Sequence, residues 1–378
     1  MTTIRRPLLR TLTAALVLTA ASCAVPPKPA TPPPSATTLP PTPAPLPPRV
    51  PFEVARAKFV QDTARQYGID PAYVQSVLAN AQIRDSIVAA MSRPAEAKPW
   101  RDYRPIFMTD SRINGGRQFL ADNRADLASA EARFGVPAEI ITAIIGVETS
   151  YGANKGSYPV VDALYTLAFA YPRTGDPARA AREEQREQFF RGELAQLFAL
   201  GKETGMDITQ LKGSYAGAMG WGQFMPSSYR EFAVDADGDG RRDLFDSKAD
   251  VFASIANYFV KKGGWVRGGP VAVRATHDPA AQTFEPDALD PIYTIADLKA
   301  RGYQPLAPVP AGATAVPLRF DGANGVEYWL GFRNFYAITR YNISKHYAMA
   351  VYQLAESIAG RDIPPLPAAA ATDTPPAP

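Results

Sequence analysis

One carboxylate, Glu148, comes at the end of an isoleucine-rich apolar run in this 378-residue chain. Residues 137–152 read PAEIITAIIGVETSYG. Pro137 can open a helix, because the N–H it lacks is one the first turn leaves unpaired anyway. Ile140, Ile141, Ile144, Ile145 and Val147 then form a run too bulky for a solvent-facing helix. Gly152 follows, and helices commonly stop near such a glycine. A carboxyl held among these groups is desolvated, which raises its pKa. Breaking a glycosidic bond requires a general acid that is protonated near neutral pH. An exposed acid at a helix end would read the same way, so Glu148 alone does not separate the two.

Two further stretches carry chemistry. Residues 213–230 read GSYAGAMGWGQFMPSSYR. Gly213, Gly217, Gly220 and Gly222 allow tight turns and close backbone approach beside Tyr215, Trp221, Phe224 and Tyr229, which suggests a cleft wall. After them comes DADGDGRRDLFD. Asp235, Asp237 and Asp239 occupy positions 1, 3 and 5 of an EF-hand loop, Gly240 is the sharp turn, and Arg241 offers its carbonyl next. The second half departs, with Asp246 at position 12 in place of Glu. Such an oxygen-rich loop suits a structural Ca²⁺ better than Mg²⁺. An Asp/Gly-rich turn without metal is the alternative.

Composition narrows the chemistry. Cys23 is the single cysteine, and His277 and His346 are the two histidines, far apart. A disulfide framework, thiol–imidazole catalysis and a His-based zinc site are therefore not expected. The net charge is +3. Arg5, Arg6 and Arg10 sit in a leader, so the remainder is about neutral and nucleic acid is not an expected partner.

The elements that must position these residues follow in order. Residues 1–22 have a basic start and an apolar run, as in a secretory signal. The run ends in Ala20-Ala21-Ser22-Cys23, which resembles a bacterial lipobox with Ala20 where Leu is usual. Lipidation of Cys23 is the expectation, soluble export the alternative. Residues 24–51 are roughly half proline, a polyproline II tether on the order of 80 Å long if extended. Helices are expected over 52–68, 71–82, 83–91, 111–134, 137–149, 161–172, 178–202 (a charged surface helix) and 251–264. Residues 265–332 lose helical periodicity. There VAVRAT reads as a strand, IADLKARG as a short helix, and AVPLRF with VEYWLGF as a hairpin around an Asn-Gly turn. Residues 334–360 return to helix, and 361–378 are low-complexity and expected to be disordered. The folded body is mainly α, with a small β element inserted late.

Glu148-Thr149-Ser150-Tyr151-Gly152 resembles the first signature of lysozyme-like lytic transglycosylases. Gly220-Trp221-Gly222-Gln223-Phe224-Met225-Pro226 resembles the second, and Arg340-Tyr341-Asn342 the Tyr-Asn signature that closes the cleft. With SYAGAMGWGQFMPSSY, IANYF and NFYAITRYNISKHYAMAV added, the chain resembles the membrane-bound lytic murein transglycosylase B family over roughly 52–360. The resemblance implies a lysozyme-like core, about 136–262 and 333–360, beside a helical part (52–135) and a β-containing insertion (265–332). It implies cleavage of the β-1,4 bond between N-acetylmuramic acid and N-acetylglucosamine in peptidoglycan, with a 1,6-anhydro end and no organic cofactor. Glu148 would be acid and then base, with the substrate's 2-acetamido group replacing a second carboxylate. Ser214, Gln223, Tyr341, Asn342 and Tyr336 would contact sugar, and Trp221 is a weaker candidate. Turn capping, loop support and core packing are the alternatives for these residues. The family that the chain resembles closes a longer acidic loop at the start of the next helix, where Asp250 stands just before Val251, so the closing ligand is open between Asp246 and Asp250. Expected partners are glycan strands, a membrane through the lipid anchor, and cell-wall synthases or amidases, with the chain a monomer at the periplasmic side of the outer membrane. A hydrolytic muramidase would need a second acid, for which Asp162 and Glu193 are the disfavoured candidates. A non-catalytic peptidoglycan-binding scaffold is the remaining alternative.

Overall fold

Capping chemistry in the chain sets several element boundaries. The computed structural model describes residues 50–92, 98–361 and 363. The leader, Cys23, nearly all of the proline-rich stretch and most of the tail lie outside these residues. Helix α1 (Phe52–Tyr67) ends at Gly68, whose φ of 60° is left-handed. Asp70 then caps α2 (Pro71–Asn80) by accepting from the Ala72 N–H at 2.8 Å. Next come α3 (Asp85–Met91), α4 (Trp100–Tyr103), α5 (Asp110–Asp122) and α6 (Arg124–Phe134). The helix expected over 111–134 is thus broken. Asn123 leaves helical geometry, and its buried amide donates to the Phe119 carbonyl at 2.7 Å. A short amide side chain competing for backbone partners explains the break.

The apolar run forms α7 (Ala138–Thr149), buried from Ile140 through Gly146. It is followed by β1 (Tyr158–Pro159), α8 (Val160–Phe169), α9 (Pro177–Thr204) and β2 (Lys212–Gly213). The ribbon β1–β2 was not expected from the sequence, since two-residue strands carry no periodicity. Helix α9 is no simple surface helix. It buries Phe190, Leu194, Leu197, Phe198 and Leu200, and even Glu187 and Glu193. Its charges are paired inward: Arg173 and Arg191 both bind Glu187, at 2.6 and 2.7 Å.

Helices α10 (Pro226–Phe232) and α11 (Lys248–Tyr258) follow, the latter running into a π-helical turn at Phe259–Gly263. The late β part contains β3 (Ala272–His277), β4 (Tyr293–Thr294), α12 (Ile295–Ala300), β5 (Tyr303–Pro305), β6 (Thr314–Gly322) and β7 (Gly325–Gly331). Its five strands lie in the order β4-β6-β7-β3-β5, with every pairing antiparallel. The β6–β7 hairpin is present, but Gly322 pairs with Gly325, so Ala323 and Asn324 form the turn. Only Gly325 there takes a positive φ, 114°, so the Asn-Gly pair does not make the turn anticipated for it.

The expected C-terminal helix is also split, into α13 (Arg333–Tyr341) and α14 (Lys345–Ile358). Asn342 is extended, and the Ser344 hydroxyl caps α14 by accepting from the Tyr347 N–H at 3.3 Å. One large apolar core runs from α1 to α14, with α7 and α14 inside it. A second, small cluster (Ala275, Leu298, Tyr303, Ala315, Leu330, Phe332) lies between α12 and the sheet. The protein is therefore mainly α with a β subdomain.

Candidate active site

Helix α7 delivers Glu148 one residue before its end. Thr149 is buried and ties that end to the glycine-rich loop. Its hydroxyl donates toward the Ile145 and Trp221 carbonyls, at 3.1 and 3.2 Å, and accepts from the Gly152 N–H at 3.1 Å. The chain then reverses through Ser150 and Tyr151, both at left-handed φ (51° and 59°). Consecutive non-glycine residues in this region are strained, which the surrounding packing must hold. Tyr151 is fixed by donating to the Arg112 carbonyl at 2.8 Å. Gly152 cannot be replaced freely, because a Cβ there would lie 2.3 Å from the Trp221 ring.

The Glu148 side chain is partly accessible, yet its carboxyl is surrounded by protein. Desolvation raises its pKa to about 7, against the opposing effect of the Tyr347 hydroxyl, which donates to Oε1 at 2.5 Å. The Tyr347 and Tyr341 hydroxyls are held neutral, chiefly by burial and then by the nearby Glu148 charge. Tyr341 donates to the Gly222 carbonyl at 2.6 Å, in the loop that Thr149 holds from the other side. Among the described residues no other acid perturbs Glu148.

The structure thus brings together Glu148, Tyr341 and the 221–223 loop, and adds Tyr347, which sequence reasoning missed. Ser344 was the available signal. As an N-cap it starts a new helix, and Tyr347 falls on that helix's first buried turn. Gln223 stands at φ 50°, and its amide donates to the Lys155 and Gly220 carbonyls at 3.2 and 3.0 Å. Ser214 follows β2 directly, and its hydroxyl accepts from the Ala218 N–H at 3.1 Å. Asn342 lies half-buried at the α13–α14 break, with no partner for its amide among the described residues. Tyr336 is different. Its ring lies between the guanidinium groups of Arg333 and Arg340, at 4.9 and 4.2 Å, with no bond to the Glu148 group. Trp221 is held by its indole N–H on the Phe245 carbonyl at 2.8 Å.

Both acids considered for a two-carboxylate mechanism are engaged elsewhere. Asp162 binds Arg84 at 2.5 Å and accepts from the Gln82 N–H. Glu193 caps α10 through the Ser227 N–H and hydroxyl, at 2.9 and 2.6 Å.

In the acidic loop, the carboxylates of Asp235, Asp237 and Asp250 offer oxygen atoms within 4.8 Å of one another. Asp250 is fully buried, and its pKa is raised by burial and, to a lesser degree, by Asp237. It accepts from the Ala236 and Asp243 N–H groups, both at 2.7 Å. Asp239, Arg241 and Asp246 lie outside this trio. An all-oxygen donor set gathered around a buried carboxylate fits a hard cation such as Ca²⁺.

A single carboxyl poised to give and retake a proton, flanked by tyrosines at the end of a buried helix, belongs to the chemistry of lysozyme-like glycan-cleaving enzymes, and the mainly α fold agrees. The chain belongs to the family described as transglycosylase SLT domain, whose profile matches residues 51–356. It is 40% identical over 312 residues to membrane-bound lytic murein transglycosylase B of Escherichia coli K12, covering 80% of this chain and 82% of that one. Among solved structures it resembles the soluble lytic transglycosylase SltB1 of Pseudomonas aeruginosa, with 46% identity and a TM-score of 0.72 over 80% of this chain and 98% of that one. It also resembles E. coli Slt35 solved in complex with calcium, with 39% identity and a TM-score of 0.71 over 81% and 92%.

Proposed function

We infer that the chain is a peptidoglycan lytic transglycosylase. The observation that carries this reading is the Glu148 carboxyl, raised to about 7 at the end of α7 and coupled to no second acid. Tyr347 occupies Oε1, which leaves Oε2 to carry the proton. That proton passes to the glycosidic oxygen, the bond from C1 of N-acetylmuramic acid breaks, and N-acetylglucosamine leaves as the alcohol. The 2-acetamido oxygen bonds to C1 and carries the charge that a second carboxylate would otherwise meet. The Glu148 carboxylate then removes the C6 hydroxyl proton. O6 attacks C1, displaces the acetamido oxygen and closes the 1,6-anhydro ring. Glu148 ends protonated as it began, and no water is consumed. Ser214, Gln223, Tyr341 and Asn342 are proposed to line the sugar subsites, with Tyr336 at their edge.

Muropeptides released from purified sacculi test this. The anhydro product is one water lighter than the hydrolytic one. A reducing-end muramic acid would establish a muramidase instead. Sacculi clearance by Glu148→Gln at the wild-type rate would remove Glu148 as the acid, and no release by either protein would leave a binding scaffold.

Asp235, Asp237 and Asp250 are proposed to hold a structural Ca²⁺, with Asp239 and the Arg241 carbonyl as further ligands and Asp250, not Asp246, closing the loop. Cys23 is proposed to be lipidated, placing the enzyme at the periplasmic face of the outer membrane. The lone cysteine after an apolar run and the membrane-bound relative support this, and soluble export is the alternative. Among the described residues no helix is long and apolar enough to cross a membrane. The helical, lysozyme-like and β-containing parts are proposed to act as one monomeric enzyme on glycan strands, beside synthases or amidases of the wall.

A further inference from the structure

A second cleft, of about 530 Å³, lies away from Glu148, where the C-terminal half of α2 meets the start of α8. Tyr73, Asn80, Gln82, Arg84, Pro159 and Thr209 are among its lining residues. Its size falls within the range of small-ligand pockets, roughly 300–1,000 Å³. Tyr73 is 42% exposed, while its ring is braced edge-on by Phe198 at 6.1 Å. The Tyr73 hydroxyl and the Gln82 carboxamide have no hydrogen-bond partner among the described residues, although the Gln82 backbone N–H is fixed on Asp162 at 3.0 Å. Arg84 and Asp162 cancel as an ion pair, and the Asp207 carboxylate, which accepts from the Thr209 hydroxyl at 2.6 Å, adds a negative charge near Tyr73. A rigid aromatic face, free amide and hydroxyl groups and a wall with no surplus cation suit an uncharged N-acetylated sugar better than an anionic peptide.

The cleft is linked along the chain to the glycine-rich loop. Pro159 belongs to β1, which pairs with Lys212 and Gly213 of β2, and Ser214, proposed above to contact sugar, is the next residue. The short ribbon therefore connects one wall of the cleft to that loop. We propose that this cleft is a remote saccharide subsite that holds a distal N-acetylated sugar of the same glycan strand whose bond Glu148 cleaves. Tyr73 supplies the stacking face and Gln82 the amide contacts, with the Asn80 amide oxygen as a further acceptor, its nitrogen being held on the Ser76 carbonyl at 2.9 Å. The enzyme would thereby favour long strands over short ones. This rests on the lytic transglycosylase reading.

The test compares kcat/KM for long, uncrosslinked glycan strands with kcat/KM for a tetrasaccharide of the same repeat, in the full chain. Tyr73→Ala and Gln82→Ala are each expected to lower the long-to-short ratio, by about five- to tenfold for Tyr73. The loss should fall on KM and not on kcat. Gln82→Ala removes a side chain with no protein partner, so it remains informative if Tyr73→Ala loosens the contact with Phe198. An unchanged ratio in both variants overturns the subsite, as does an equal loss on both substrates. Failure of the underlying reading would look different, since wild type itself would release no anhydromuramyl ends.

Discussion

Below pH about 7 Glu148 holds its proton, because the protein around it replaces water that would solvate the charge. The acid step needs that proton, so kcat/KM on glycan should fall as pH rises through about 7, and a pH–rate profile measures the midpoint. Tyr347 opposes the shift by hydrogen bonding to the charged form. Tyr347→Phe should therefore move the alkaline limb to higher pH, while a variant that only loosened the fold would lower the rate without moving the limb. The same residue carries a stability signature. The folded pKa lies above the ordinary value of 4.5, so the folded state binds the extra proton between 4.5 and about 7. Wild type accordingly loses stability as pH rises through that window. Glu148→Gln, which cannot ionise, should be the more stable protein at pH 8, by at most about 3 kcal/mol, with the gap closing toward pH 4.5. Denaturant melts at the two pH values check this. Its activity should fall by at least about 10²-fold, the usual weight of a general acid.

Two connections at the element scale hold that carboxyl in place. The first is the reversal after α7, where Gly152 takes φ 87° against the Trp221 ring. Gly152→Ala introduces a clash and a conformation unfavourable for alanine. It should cost about 2 kcal/mol or more and lower activity, read by thermal melting and by turnover. The second is the acidic loop, which joins α10 to α11 close behind the Trp221 segment, since Trp221 bonds to Leu244 and Phe245. Adding Ca²⁺ should raise the melting temperature in proportion to the logarithm of its concentration above Kd, and chelation should reverse it. Asp237→Asn removes one exposed carboxylate of the trio and should abolish the response. An identical melt with and without the ion would leave the loop a metal-free turn.

Across the whole molecule, α7 is central because α5, α6, α11 and α14 pack against it, and α13 ends in the tyrosine that touches the neighbouring loop. The group around Glu148 is thus assembled from Glu148, the 221–223 loop, Tyr341 and Tyr347, and no single segment contains it. The scale above the fold is the envelope. With Cys23 replaced by Ser, the protein should shift from the membrane to the soluble fraction, while purified protein should digest sacculi at the wild-type rate. Fractionation with labelled-lipid incorporation separates an anchored from an exported enzyme.

The sequence by itself marked Glu148 and its apolar setting. An isoleucine run is legible because burial follows from composition and period, and a lone carboxylate at its end has few roles. It also determined the helical body and the late β insertion, the glycine-rich wall and the acidic loop. What it could not carry were effects that depend on long-range partners. The two-residue ribbon and the inward-facing charges of α9 turn on such contacts, whereas the splits at Asn123 and Asn342 come from short-range side-chain bonds of Asn123 and Ser344 that hydrophobic periodicity does not encode. Whether Asp246 or Asp250 joins the acidic trio was open for the same reason, and the fold gathers Asp250 there because α11 begins where its carboxylate can accept from the loop's backbone. Tyr347 shows the same limit most directly. Nothing near it in the chain names its partner, which lies 199 residues away. Only the turn at Ser344 brings its hydroxyl to Glu148, and that contact tempers the pKa the apolar helix alone would impose.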